Sequence, residues 1–296
     1  MVSSEQHLPP MKKIYFLSDA HLGSRATQDS RERELFLCSF LDHIRQDASA
    51  IYLMGDIFDF WFEYHNVVPK GFTRFLGKLA ELTDEGMEIH FFTGNHDMWA
   101  FDYLHEECGV VLHTEPCEIQ LPTENGSPSP TAFLAHGDGL GDNSSSLRLL
   151  HNIFHSRVCR WLFRNILPPD WGMEFGLRWA KSSRLKHDSF LIGENGDTLS
   201  VSADGTVSNG MGDILTNNGS IGESFLGEDK EHLVLFSKQY LQEHPHISYF
   251  IFGHRHIELD LMLTRSSRIL ILGEWIRSFT YAVWDGENMV MDNFAD

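Results

Sequence analysis

Lys13-Ile14-Tyr15-Phe16-Leu17-Ser18-Asp19-Ala20-His21 begins as an apolar run and ends on a carboxylate and an imidazole. Residues 13–18 of it read as a strand. A strand end is a good place for a functional side chain, because a rigid sheet fixes it while a short loop exposes it. The same event recurs down the chain. Residues 50–54 (AIYLM) run into Gly55-Asp56, and residues 88–93 (EIHFFT) into Gly94-Asn95-His96-Asp97. Residues 131–135 lead to His136-Gly137-Asp138, and residues 247–252 to Gly253-His254-Arg255-His256. Seven residues of metal-ligand type thus stand at the ends of five strands: Asp19, His21, Asp56, Asn95, His136, His254 and His256.

The segments between these strands set the fold class. Apolar spacing at Leu35, Phe36, Phe40, Leu41 and Ile44 predicts an amphipathic helix over 31–47, and further helices are expected near 71–85, 100–107 and 228–243. Additional strands are expected at 117–121, 269–273 and 279–284. Strand–helix–strand alternation predicts an α/β (α+β) fold, a two-sheet β-sandwich flanked by helices. A helical stretch over 144–187, broken near Pro168-Pro169, interrupts the pattern. Residues 191–227 carry eight glycines and few large apolar residues, and form either a mobile loop or a hairpin around Asp204-Gly205. The expected organisation is a core of residues 11–142 and 228–290, a helical cap insertion at 143–190, and a Gly/Ser-rich loop or hairpin insertion at 191–227.

Carboxylates, imidazoles and one amide at this spacing can hold two divalent metals, and two close metals suit hydrolysis of a phosphate ester or anhydride. Asp19 and His21 are two apart, so on an extended segment they point the same way and can share one ion. Asp56 is placed to bridge both ions. His254 and His256 repeat the i, i+2 spacing, although a tight turn could split them between the two ions. Mixed nitrogen and oxygen donors suit Mn, Fe, Zn, Co or Ni better than Ca.

The motifs D-x-H, G-D-x-x-D (Gly55 to Asp59), G-N-H-D, H-G-D and G-H-x-H resemble those of the calcineurin-like metallophosphoesterase superfamily, over residues 13 to about 285. The resemblance implies Asp19, His21, Asp56 and His256 around one metal, and Asp56, Asn95, His136 and His254 around the other, with manganese the first expectation. His96 would sit beside the metals, where it stabilises developing phosphorane charge or protonates the leaving oxygen. Asp97 could hold that imidazole protonated and oriented.

Three features narrow the substrate, and the first and third resemble the UDP-2,3-diacylglucosamine hydrolases of lipid A biosynthesis. These enzymes cleave a pyrophosphate to give UMP and 2,3-diacylglucosamine 1-phosphate. The first feature is Asp59-Phe60-Trp61-Phe62 after Gly55-Asp56, where Trp61 could equally be ordinary core. The second is the 143–187 stretch, whose eight basic residues face only Asp170 and Glu174, giving a local +6 in a chain of −19. It is also rich in Leu, Ile, Phe and Trp, which suits an element on anionic lipid or a cap over acyl chains and a diphosphate. Ser182, Arg184 and Lys186 are the candidate polar contacts of this cap. The third is Leu272-Gly273-Glu274-Trp275, similar to an L-G-x-W near the family's C-terminus. His96 is a departure, because the best-known family members have G-N-R-D.

A net charge of −19 argues against general electrostatic binding of nucleic acid. Cys38, Cys108, Cys117 and Cys159 show no paired spacing, which fits a reducing cytosol. Residues 1–10 lack a secretory pattern, and no run of about 18 apolar residues is present. The expected setting is cytoplasmic, with peripheral association at the cytoplasmic face of the inner membrane through 143–187. The expected partner is a UDP-linked glycolipid. A soluble phosphatase or phosphodiesterase acting on nucleotides, sugar phosphates or phosphoproteins is the second reading. A non-catalytic metal-bound interaction scaffold is the third.

Overall fold

The computed structural model describes residues 12–24, 30–123, 128–141, 156–174, 176–178, 191–192, 198–201, 207–208 and 225–295. In it the expected β-sandwich is built from two mixed sheets. The first has the order β14-β13-β1-β2-β3-β4 and the second β11-β12-β10-β6-β5. In the first sheet, β1 (Lys13–Leu17), β2 (Ala48–Leu53), β3 (Glu88–Phe92) and β4 (Val111–His113) run parallel. β13 (Thr280–Trp284) and β14 (Met289–Asn293) close one edge antiparallel. In the second, β6 (Thr131–Leu134), β10 (Ile247–Phe252) and β12 (Arg268–Leu272) are parallel. β5 (Cys117–Gln120) and β11 (Glu258–Met262) are its antiparallel edges.

Strand period explains why the central strands read as continuous apolar runs. Successive side chains point to opposite faces, and both faces of both sheets are covered. Ile14 and Phe16 of β1 join Met54, Leu134, Ile251 and Leu272 in the core between the sheets. Tyr15 and Leu17 point outward and pack with Leu37, Phe40, Leu41, Phe75, Leu79 and Leu104. Those residues come from α1 (Ser30–Ile44), α2 (Thr73–Asp84) and α3 (Tyr103–Cys108). On the far side, Phe250 and Phe252 of β10 pack with Leu233 and Val234 of α4 (His232–Glu243), numbered here within the core. The result is four layers, helix–sheet–sheet–helix. Parallel strands of both sheets deliver their C-terminal ends to one rim, the usual position for a ligand crevice in open α/β sheets.

Several boundaries differ from the sequence expectation for identifiable reasons. The helix expected at 100–107 starts at Tyr103, because the Glu63 carboxylate accepts the N–H groups of Phe101, Asp102 and Tyr103. The Glu34 carboxylate accepts the N–H groups of Arg74 and Phe75 in the first turn of α2. β4, β11 and β14 were not expected. β4 has three residues, and β11 alternates exposed Glu258, Asp260 and Met262 with half-buried neighbours at a sheet edge.

Of the expected cap, the described residues show a helix at Arg157–Ile166, the cap helix below, and helical turns at 169–174 and 176–178. Ser156 Oγ accepts the N–H of Cys159 and caps the first. The cap helix lies over the core: Phe163 packs against Trp99 and Phe62, with ring centroids 4.7 and 5.8 Å away. Arg160 and Arg164 reach over the Phe101 ring. Ser182, Arg184 and Lys186 lie outside the described residues. In the 191–227 segment, β7 (Leu191–Ile192), β8 (Thr198–Val201) and β9 (Val207–Ser208) pair antiparallel. Val201 pairs with Val207, while the expected turn at Asp204-Gly205 lies outside the described residues.

Candidate metal centre

Backbone hydrogen bonds tie neighbouring strand ends together. Asp19 N–H donates to Gly55 O, His21 N–H to Asp56 O, Gly253 N–H to His136 O and Trp275 N–H to Asp19 O. This lacing holds an unusual backbone. Asp19, His21, Asp56, His254 and His256 all have φ between 42° and 68°, in the left-handed region. Each such residue costs on the order of 1–3 kcal/mol and persists where its surroundings over-determine it, commonly at functional sites. The i, i+2 argument for Asp19 and His21 therefore fails in its premise, since neither is extended. Their side chains still converge because two left-handed residues turn the loop back over the sheet rim.

Asp19 is fully buried. Its Oδ2 accepts the N–H of His254, and its Oδ1 lies 3.2 Å from His256 Nε2 and 3.7 Å from His21 Nε2. The two imidazole Nε2 atoms are 3.0 Å apart. Asp56 is the second buried carboxylate. Its Oδ1 accepts the N–H of His96, and its Oδ2 stands 3.3 Å from His136 Nε2 and 3.9 Å from His21 Nε2. His136 Nδ1–H donates to Met54 O, which leaves its Nε2 facing the Asp56 oxygen. The His254 ring packs edge-on to that of His136 at 5.2 Å.

Asp19 Oδ1, Asn95 Oδ1 and His136 Nε2 are buried with no hydrogen-bond partner. Buried polar atoms without partners are costly, and a cation held among them would satisfy them. Besides His21/Asp59/His96, which shares His21, two groups of donor atoms, Asp19/His21/His256 and Asp56/His136/His254, are each compact enough to hold one ion. Asp56 Oδ2 faces both. The donor set fits two divalent metals.

The titration pattern has the same origin. Burial opposes ionisation of Asp19 and Asp56, and the surrounding histidines more than overcome it, so both carboxyls lie well below their usual range. Burial disfavours the His136 imidazolium, but Asp56 and Asp19 outweigh it and its pKa stands well above the ordinary value. Burial and His136 push His254 well below.

His96 and Asp97 reach the site in a different relation from the one expected. The His96 ring packs edge-on to His21 at 4.8 Å, with Nε2 4.0 Å from Asp56 Oδ2. Its Nδ1 donates to the Asp59 carbonyl, not to Asp97. Burial lowers the His96 pKa to about 4, so the ring is neutral at pH 7. Asp97 instead accepts the N–H groups of Gly94, Ile57, Asp56 and Phe58, tying the second and third motif loops together. Burial and the Asp56 charge push its carboxyl up to about 7, against the pull of these N–H donors.

Some supporting residues carry no clear sequence signal of their role. Asp59 Oδ1 lies 3.6 Å from His21 Nδ1, on the far side of that ring from Asp19; the second Asp of G-D-x-x-D was the only clue. Arg255, inside G-H-R-H, is buried against Glu231 with N···O distances of 2.9 and 3.2 Å. Trp61 and Trp275 are core residues: Trp61 Nε1 donates to Glu63 and Trp275 Nε1 to Thr280 O.

A UDP-2,3-diacylglucosamine hydrolase from Porphyromonas gingivalis is 42% identical over 288 residues, covering 96% of this chain and 98% of that protein. The chain belongs to the UDP-2,3-diacylglucosamine hydrolase family. Members from Actinobacillus succinogenes and Neisseria gonorrhoeae are 29% and 26% identical, covering 53% and 60% of this chain and 62% and 69% of theirs. No protein-family profile matches the chain. Among solved structures, a dimetal phosphatase from Danio rerio aligns over 96% of each chain at 14% identity, with a TM-score of 0.41. Family membership makes the chain a hydrolase, and its His/Asp clusters are compatible with a dimetal site.

Proposed function

We propose that the chain hydrolyses the pyrophosphate of UDP-2,3-diacylglucosamine, giving UMP and 2,3-diacylglucosamine 1-phosphate. The observation that carries this reading is 42% identity to a named UDP-2,3-diacylglucosamine hydrolase across nearly both whole chains. The paired donor groups around Asp56 supply the matching chemistry. Asp19, His21, Asp56 and His256 would hold one ion, and Asp56, Asn95, His136 and His254 the other, with manganese first among the metals that N/O donors suit. Bound there, two divalent ions supply Lewis acidity to the phosphoryl group and nucleophilic water at neutral pH.

His96 is the proposed neighbour of the reacting phosphate. Hydrolysis at either phosphorus expels a phosphate monoester, whose second pKa near 6 makes it a good leaving group without a proton. A neutral His96 is therefore suited to orienting the substrate rather than to acid catalysis. Asp97 acts through the loops it ties and is a positioning residue.

The basic, apolar cap stretch supports association with an anionic lipid surface. Val158, Trp161, Leu162 and Ile166 recur at helical spacing on the cap helix and are all exposed, Trp161 by 58% and nearby Trp171 by 69%. The face with Arg160, Phe163 and Arg164 is turned to the core, so the apolar face is turned to solvent. Among the described residues no helix is long and apolar enough to cross a membrane, which makes surface attachment the relevant mode. Replacing Trp161 and Trp171 with Glu should release the protein from anionic liposomes in a flotation assay. Unchanged flotation would remove this face from the attachment.

The substrate test is direct. Protein with Mn²⁺ should release UMP from UDP-2,3-diacylglucosamine and do so far faster than it cleaves a generic aryl phosphodiester, and chelation should stop both reactions. The reverse preference would replace this substrate with a soluble phosphodiester.

A further inference from the structure

A second group of ligand-type side chains lies away from the dimetal centre. Glu118 projects from β5, the edge strand of the second sheet, and His244 and His246 flank Pro245 in the turn from α4 into β10. One donor atom from each of the three residues lies within 4.8 Å of the others. Glu118 Oε2 is 3.0 Å from His246 Nε2. Bonds of about 2.0–2.1 Å to a tetrahedral ion place neighbouring donors about 3.3 Å apart, so this pair needs little movement to share one.

The surrounding contacts fix all three side chains. Tyr240 Oη donates to Glu118 Oε1, leaving Oε2 for the cluster. The His244 ring stacks on Tyr240 at 4.0 Å with planes 10° apart, which sets its plane. The turn itself is closed by Ile247 N–H on His244 O, with Pro245 at the position where its fixed φ favours a turn. An ion pair between Glu118 and His246 would need neither the stacked His244 nor an oriented second carboxylate oxygen.

We propose that Glu118, His244 and His246 form a peripheral site for one zinc-class divalent ion, separate from the dimetal pair. Two imidazoles and a carboxylate select Zn, Co, Ni or Cu over Mg and Ca, and three protein ligands leave a position for water. The site stands at the N-terminal end of β10, whereas His254 follows its C-terminal end, so the whole strand separates them. A bound ion clamps the sheet edge at β5 to the α4–β10 turn. This proposal does not rest on the identity of the substrate.

The test is equilibrium dialysis of the full chain against micromolar free zinc, with bound metal counted by mass spectrometry. His246→Asn and Glu118→Gln are compared with the parent; the second variant retains the acceptor for Tyr240 and so the local packing. Each should bind one zinc fewer per chain while Mn²⁺-dependent hydrolysis stays within twofold. Parental zinc content in both variants would overturn the site. So would a loss of hydrolysis in parallel with the lost ion, which would assign that ion to the dimetal pair.

Discussion

Asp56→Ala should empty both halves of the dimetal centre and lower kcat/KM by about 10⁴-fold or more, ~5.5 kcal/mol of transition-state stabilisation. Asp56 Oδ2 faces His136 at 3.3 Å and His21 at 3.9 Å, so it stands between the two donor groups. Its removal leaves the imidazoles without the charge that justifies two cations beside them. Asp56→Asn keeps the side-chain volume and an acceptor for the His96 N–H, and it isolates the effect of charge from that of shape. His96→Ala should behave differently: its backbone N–H still reaches Asp56, so metal content should hold while turnover falls about 10²-fold, as for loss of one positioned polar group. Metal analysis alongside UMP release separates the cases. Retention of both ions in Asp56→Ala would refute the bridging position. Metal loss in His96→Ala as complete as in Asp56→Ala would make His96 a ligand.

The convergence of Asp19, His21, Asp56, His136, His254 and His256 was legible because it follows from strand ends, and strand ends announce themselves as apolar runs. What the local pattern hides is how the loops cross. Asp97 stands next to His96 in sequence, and adjacency alone suggests that it orients the ring. In the fold it turns away and collects four backbone N–H groups from two loops, while the Asp59 carbonyl, 37 positions earlier, takes the His96 ring. Adjacent residues in a tight loop diverge, so neighbourhood in sequence was a poor guide to hydrogen bonding. Asp19 and His21 show the complementary case. The conclusion that they converge survived, but the extended geometry that motivated it did not, because left-handed backbone at non-glycine residues carries no reliable sequence mark.

The same division runs through the fold. Strands buried on both faces, such as β1, β2 and β10, are apolar enough to be found one at a time. The edges β11 and β14 alternate with charged and amide residues because one side meets solvent, and their assignment depends on the neighbour they pair with. The aromatic markers Trp61 and Trp275 also separate resemblance from role. Each is buried and hydrogen-bonded in the core, so each supports the site from behind. Trp275 does so through its backbone N–H on Asp19 O.

Gly94→Ala should cost about 1–3 kcal/mol of stability by overpacking and about 10²-fold in activity by displacing the reacting groups. A Cβ at this position would stand 2.3 Å from Asp56 Oδ1, 2.8 Å from Asp56 N and 2.8 Å from His136 Cδ2. The second contact is backbone, which cannot swing aside as a flexible side chain would. Space, not conformation, is therefore the reason for glycine here. The same crowding meets Gly253 against Ser18 and Asp19, and Gly55 against His136, where a φ of 96° adds a conformational reason for glycine; strand ends from two sheets come together too closely for a methyl group at all three. Gly77 supplies the contrast: it sits in α2 with nothing within 4 Å of its added Cβ, and Gly77→Ala should stabilise by up to about 1 kcal/mol. Thermal melts and metal content of the two variants compare a crowded glycine with an open one in the same chain. If Gly94→Ala melted and bound metal like the parent, the close approach of the second and third motif loops would not be what assembles the centre, and the lacing through Asp97 would have to carry it alone.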